Sequence, residues 1–413
     1  MSVVSVIKRN NDVVRFDADK IRSAVEKAMS RTTEEISSIY DDVVRYVTNN
    51  IQSDSVNVDE IHKLVENALM DSKAFDTARE YVTYRNNNKP NVFRPRIAYK
   101  PFEYPSVEKY VDAMQQSYWI VTEFNFQGDI QEFMAEMPYH EQQAVRRSML
   151  AISQVEVSVK KFWSRIGDRL PKPEFEEVGT AFGESELRHS KAYAKLLELL
   201  GLNNEFDDVM EIPAIRKRVN VANKAIANAK TDSQKDFMES VLLFSLFIEN
   251  VSLFSQFLVI SQINKETGRL SGMSNVVGAT SLEEQMHAKF GAELVNIMRE
   301  ENPDWFTDEL AENLYKLVDE SYEAEKAIID WIFKDGDLGY LTRGEVVEYI
   351  KNRYNMGLED AGFPRYFDVD EGLLTRVKWF DVQNMATSHT DFFAQRSINY
   401  TKFDSSFDED ELF

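Results

Sequence analysis

Phe182-Gly-Glu-Ser-Glu186-Leu-Arg-His189-Ser-Lys-Ala-Tyr193-Ala-Lys-Leu196 is the stretch on which the reading of this chain turns. Phe182, Glu186, His189, Tyr193, Leu196 and Leu200 follow one another at three- and four-residue steps, so a helix puts them on one face. A stripe so rich in apolar residues belongs against an interior. This one nonetheless carries a carboxylate and an imidazole.

Three further helical patterns do the same. The first runs Val145, Met149, Ile152, Glu156, Val159, Trp163; the second Leu242, Leu246, Glu249, Leu253, Phe257, Ile260; the third Thr280, Glu284, His287, Gly291, Leu294, Met298. An isolated buried carboxylate costs several kcal/mol, about the whole stability of many domains. One such residue can be a protonated or paired exception, but four require a common cause. A pair of divalent ions supplies it. Glu and His three apart reach one ion from the same helix face, and two Glu-x-x-His helices with two single-Glu helices make the ligand set of carboxylate-bridged dimetal bundles. Hard oxygen and imidazole donors suit Fe or Mn. The competing explanation, a set of buried salt bridges, needs basic partners, and Arg188 and Lys191 are expected off the stripe, facing elsewhere.

Composition is consistent with this. The chain has 413 residues, too many for one ordinary domain. Its scarce Gly (15) and Pro (10) favour helices, and 43% hydrophobic content supports a sizeable core. A net charge of −22 makes it a poor partner for nucleic acid. Cysteine is absent, which excludes disulfides, thiolate metal sites and a cysteine nucleophile. Any metal must therefore be held by carboxylates and the five histidines, His62, His140, His189, His287 and His389. No apolar run is expected to span a membrane, and the start reads as strand and turn instead of a signal peptide. The expected location is cytoplasmic.

Along the chain, residues 1–90 read as one unit: a hairpin around Asn10-Asn11-Asp12, then helices at about 18–30, 34–51, 58–71 and 75–87. An Asn- and Pro-rich linker, 91–105, follows. Residues 106–392 are nearly all helical in pattern, with segments at 107–120, 138–168, 174–201, 204–228, 232–265, 280–300 and 307–334. Residues 393–413 lack periodicity, hold the acidic run Asp408–Glu411 and end on Leu-Phe. They read as a mobile tail, either a solvating end or a docking peptide.

The stretch Glu186-Leu-Arg-His189-Ser-Lys-Ala-Tyr193, together with Glu283-Glu284-Gln-Met-His287, Glu249 and Glu156, resembles the signatures of class I ribonucleotide reductase small subunits over roughly residues 106–413. The resemblance implies a mostly α protein, a ferritin-like helical bundle with a dimetal carboxylate centre. Its metal ligands would be Glu156, Glu186, His189, Glu249, Glu284 and His287. The centre would generate and store a one-electron oxidant for a cysteine on a separate large subunit, which reduces ribonucleotides to deoxyribonucleotides. The resemblance also makes His189, Glu283 and Trp119 the route out of the site, with Tyr400 in the tail relaying the radical across the subunit interface. Where the family usually has Asp, this chain has Glu156 and Glu283. The oxidant therefore has two candidate seats, Tyr193 or the metal pair itself.

Residues 4–90 resemble an ATP-cone, a small α+β nucleotide-sensing domain made of a β-hairpin and about four helices. The residues that carry this are Val4–Arg9, Phe16-Asp-Ala-Asp-Lys20-Ile21, Ile61-His62 and Tyr81-Val-Thr-Tyr84-Arg85. The resemblance assigns Lys8, Arg9 and Lys20 to the triphosphate and His62 to base or sugar, with Arg85 in the closing motif. Three cations near a hairpin and a helix N-terminus are a ready anion site. ATP and dATP would then regulate activity through this chain, dATP by driving the expected homodimer into a larger, inactive oligomer. A flavoprotein activator is a candidate further partner. The rivals are a ferritin-like dimetal oxidase with a nucleotide-responsive domain, an iron-storage bundle, and a non-enzymatic nucleotide-binding regulator.

Overall fold

The computed structural model describes residues 5–7, 13–34, 39–51, 53–87 and 90–382. Lys8, Arg9, the Asn10–Asp12 turn, Tyr400, the acidic end and the side chain of Val159 lie outside the described residues. The chain forms two compact units, one of residues up to Asn91 with Lys100–Pro105, the other of Val92–Tyr99 and the residues from Ser106 onward.

In the first unit β1 (Ser5–Ile7) pairs antiparallel with β2 (Val13–Arg15), with Val6 opposite Val14. A third strand, β3 (Ser55–Asn57), lies parallel to β1 on its other side, with Val6 opposite Val56. Four helices follow the expected spans: α1 (Ala18–Met29), α2 (Ile39–Asn50), α3 (Val58–Asp71) and α4 (Phe75–Asn87). Asp17 and Asn57 cap α1 and α3 by accepting from Asp19 N and Asp59 N, which satisfies otherwise unpaired backbone donors. Val25, Val43, Val47, Val56, Val65 and Leu69 close the core of this unit.

The second unit is built from α5 (Glu108–Gln116), α6 (Tyr139–Trp163), α7 (Pro173–Leu199), α8 (Pro213–Ala227), α9 (Gln234–Thr267), α10 (Ser271–Glu301), α11 (Asp308–Ile332) and α12 (Arg343–Asp360). Pro173 opens α7, where its missing N–H costs nothing, with Glu174 and Glu176 in the first turn at the positive end of the helix dipole. The 107–120 segment stops at Gln116, which leaves Trp119 on non-helical chain. The 204–228 segment breaks before Pro213, a residue that begins helices more readily than it continues them. The 280–300 segment begins earlier, at Ser271, where buried Asp129 accepts from Gly272 N and Met273 N at 3.1 and 2.5 Å and caps α10 from a distance. A Thr342–Glu345 capping box starts α12.

Helix α9 corrects the expectation about apolar length. Gln234–Thr267 is long and apolar enough to cross a membrane, but 94% of its most apolar window is buried within the bundle, as befits a central helix. Its Phe244–Ser252 stretch is π-helical. Such wide turns concentrate at functional sites, and this one carries Glu249. Helix α6 packs along α7, and α10 packs on both α7 and the π segment, so the four striped helices meet.

Candidate metal centre

The four stripes converge as two overlapping groups. Glu156, Glu186 and His189 form one; Glu186, Glu249, Glu284 and His287 form the other; in each, the donor atoms lie within 4.8 Å of one another. Glu186 belongs to both. Its Oε1 lies 3.1 Å from His287 Nδ1 and its Oε2 3.8 Å from His189 Nδ1. Glu284 also spans the pair, with Oε1 2.9 Å from His189 Nδ1 and Oε2 3.1 Å from His287 Nδ1. Glu249 Oε2 is 3.5 Å from His287 Nδ1. All six side chains are buried.

These residues fit a pair of cations on grounds of hydrogen bonding. Both oxygens of Glu156, both of Glu186, Oε1 of Glu284 and Nδ1 of His189 are buried without a hydrogen-bond partner. Native interiors rarely leave such atoms unpaired. The 2.9 Å approach of Glu284 Oε1 to His189 Nδ1 lacks hydrogen-bond alignment, as it would if both lone pairs faced a shared third point. Electrostatics agree. Burial, reinforced by the neighbouring carboxylates, pushes Glu156 and Glu249 well above the ordinary carboxylate range, against the opposing pull of the nearby histidines. Burial would lower His189 and His287, but Glu284, Glu186 and the other carboxylates outweigh it and hold both well above the usual imidazole value.

Each histidine has its far nitrogen fixed, which leaves Nδ1 facing the cluster. His287 Nε2 meets Ser185 Oγ at 3.0 Å, and His189 Nε2 meets Glu283 Oε2 at 2.7 Å. Glu283 is the hub on that side. It accepts from Trp119 Nε1 at 3.1 Å, Ser117 Oγ at 2.9 Å and both terminal nitrogens of Arg188 at 3.2 and 3.0 Å. Burial pushes Glu283 up, but His189 and Arg188 outweigh it and hold it below its usual range, as a carboxylate. The Trp119 indole stacks on His189, with centroids 5.9 Å apart and planes at 15°.

Arg188 lies off the stripe and faces away from the clustered carboxylates, as expected. It is nonetheless buried, because α7 is covered on several sides by α5, α6 and α10. Its partners are Glu283 and Glu184 instead of the clustered carboxylates, so among the described residues the cluster still has no Lys or Arg partner. Ser117, Ser185 and Trp163 were also not foreseen as site residues. Trp163 stood on the stripe as packing, and nothing in the sequence marked either serine. Tyr193 is fully buried, its hydroxyl has no hydrogen-bond partner, and burial with the charge of Glu156 pushes it well above the ordinary phenol value.

In the first unit, Lys20 is exposed in the first turn of α1. His62 on α3 and Arg85 on α4 each take part in a separate link between these two helices: His62 Nδ1 meets Tyr81 OH at 2.8 Å, and Arg85 pairs with Glu66. Burial, with Glu66 close by, pushes Tyr81 above its usual value.

Four helices that deliver Glu, Glu-x-x-His, Glu and Glu-x-x-His into one buried cluster define a ferritin-like carboxylate bundle. The family model for the ribonucleotide reductase small chain matches residues 96–372, and that for the ATP cone domain matches residues 4–90. A probable ribonucleoside-diphosphate reductase small subunit of Invertebrate iridescent virus 3 is 24% identical over 322 residues, covering 74% of this chain and 85% of the relative. Among solved structures, Streptococcus sanguinis dimanganese(II)-NrdF superposes with a TM-score of 0.61 at 15% identity, covering 71% of this chain and 100% of that one. An R2-like ligand-binding oxidase reconstituted with a Mn/Fe cofactor gives 0.54 at 17%, covering 64% and 95%. The two structural likenesses show the fold. The chain belongs to the ribonucleotide reductase small-chain family and carries an ATP cone domain ahead of it.

Proposed function

We propose that the bundle holds two divalent metal ions, Mn or Fe, and serves a separate large subunit as its source of oxidising equivalents. The observation that carries this is the set of buried, unpartnered donor atoms on Glu156, Glu186, His189 and Glu284. Glu156 and His189 would hold one ion, Glu249 and His287 the other, with Glu186 and Glu284 shared between them. When bound, the pair supplies a centre that can be oxidised beyond its divalent state and take one electron back. The stored oxidant has two candidate seats, the metal pair and Tyr193, whose buried O–H has no hydrogen-bond partner.

The chain's own residues prepare the way out. Glu283 Oε2 accepts from both His189 and Trp119, so the indole proton has an acceptor at 3.1 Å when Trp119 gives up an electron. Arg188 and Ser117 hold that carboxylate still. Tyr400 and the acidic tail 393–413 would continue the route and dock on the large subunit. The domain limits in this reading are 1–90, the linker 91–105, the bundle 106–392 and the tail. The bundle is read as a homodimer in the cytoplasm. ATP and dATP would bind at Lys8, Arg9, Lys20, His62 and Arg85, and dATP would promote a larger, inactive assembly. His62 and Arg85 would contribute by way of their Tyr81 and Glu66 contacts. A flavoprotein activator would be a further partner, delivering the oxidant to the centre.

The likeness to a ligand-binding oxidase supports a second reading, a dimetal oxidase with a nucleotide-responsive domain. Mixing the metal-loaded protein with a ribonucleotide reductase large subunit separates the two. Deoxyribonucleotide formation supports the first; consumption of oxidant without it supports the second.

A further inference from the structure

We propose that Trp163 is a positioning residue that fixes Glu249 as a ligand through one oxygen only. This inference rests on the two-ion reading above. Trp163 ends α6, two turns beyond Glu156, and its indole Nε1 donates to Glu249 Oε1 at 2.6 Å with both side chains buried. Among the clustered carboxylates this sets Glu249 apart. Glu156 and Glu186 keep both oxygens free of hydrogen bonds, and Glu284 keeps Oε1 free. Glu249 has Oε1 committed to the indole, and only Oε2 faces His287. An oxygen that holds so short a hydrogen bond is the poorer donor to a metal, so the tie favours coordination through Oε2 alone, whereas Glu156 has both oxygens available. The two metal positions are therefore unequal by construction of the protein.

The backbone beneath Glu249 is held to the same end. Arg353 donates from Nε to Asn250 O and from a terminal nitrogen to Asn250 Oδ1, both at 2.9 Å, while Asn250 Nδ2 donates back to Arg353 O at 2.6 Å. Arg218 donates to Ser252 O at 3.0 Å, and Ser252 Oγ donates to Glu325 Oε1 at 2.9 Å. The π segment is thus anchored just after Glu249, at Asn250 and Ser252, by α8, α11 and α12. What remains to be set is the rotation of the carboxylate, and the indole N–H sets it. Gly291 makes room for this arrangement, since a Cβ there would fall 3.4 Å from Trp163 Cη2 and 1.7 Å from Ser245 Oγ.

The plainer role for Trp163 is filling. Its ring packs edge-on against Phe162, Phe182, Phe244 and Phe290. If filling were its whole role, Phe would serve. The test is titration of the full-length apo-protein with Mn(II) under anaerobic conditions, with bound ion and exchange-coupled pairs read by electron paramagnetic resonance, on wild type, Trp163→Phe, Glu249→Ala and the double variant. Wild type should take two equivalents; fewer would sink the two-ion reading itself. Trp163→Phe should keep one tight equivalent and bind the second ten- to a hundred-fold more weakly, the usual effect of removing a ligand's hydrogen-bond partner. The double variant should bind no more weakly than Glu249→Ala alone. Two equivalents of wild-type affinity with an unchanged coupled signal in Trp163→Phe would overturn the proposal, as would a further loss in the double variant. Trp163→Gln, which keeps an N–H and loses the ring, should recover part of the second site. If Gln does not fold, the Phe and double-variant results decide alone.

Discussion

Glu156 has two buried oxygens and no hydrogen bond to either, so its charge is a liability to the fold unless something positive arrives. Glu156→Gln removes that charge at nearly constant shape. The apo-protein should gain about 1–2 kcal/mol in chelator-treated denaturant melts, the usual exchange between a strained site and stability, while added Mn(II) should stabilise the variant less than wild type. An unchanged apo stability would mean the carboxylate is not strained. Tyr193→Phe decides the seat of the oxidant. An electron paramagnetic resonance signal that survives this change places it on the metals, and loss of the signal places it on the phenol. Away from the cluster, burial pushes Glu325 up to about 7 from an ordinary 4.5, against the pull of Arg218 and Ser252. The unfolded chain loses this proton near 4.5 and the folded chain near 7, so within that window the folded state binds more protons and stability falls as pH rises. The loss amounts to roughly 3 kcal/mol and is complete above the folded value. Between pH about 5 and about 8, Glu325→Gln should lose less stability than wild type in urea melts; equal losses would count against it.

At the scale of elements, the π segment and α10 lock together at Gly291. Gly291→Ala brings a Cβ to 1.7 Å from Ser245 Oγ and 2.5 Å from Ser245 Cβ. It should cost about 1–3 kcal/mol by overpacking, and Ser245→Gly in the same chain should recover part of that in thermal melts. A full cost that Ser245→Gly does not relieve would place the clash elsewhere. The elements themselves were legible wherever a pattern had length. The four helices of the first unit, the bundle helices and the four inward-facing carboxylates all follow from 3.6-residue periodicity. Short or non-periodic features were not legible. β3 spans Ser55–Asn57 and pairs in parallel with a strand about fifty residues earlier, which no local pattern reports. The π turn around Glu249 reads as ordinary helix because its residues are apolar all round. Arg188 reads correctly as off the stripe, but its burial was not legible, because one residue's rotation from His189 shows nothing of the α5 cover on that side. Glu283 shows the complement: adjacent to Glu284 of the cluster, it meets Trp119 instead, a placement that needs the non-helical chain after Gln116.

For the whole molecule, two compact units joined in one chain predict that nucleotide state and bundle assembly are linked. Mass measured by light scattering should rise with dATP relative to ATP, and Lys20→Ala should blunt the rise; the same mass under both nucleotides would count against it. The central claim is that acidic side chains in the middle of the helices are there to hold two ions. Anomalous diffraction from metal-loaded crystals, collected at the Mn and Fe edges, tests it most directly. Two peaks should lie between the four helices, one beside His189 and Glu156 and the other beside His287 and Glu249. A single peak, none, or peaks confined to the acidic surface would contradict it.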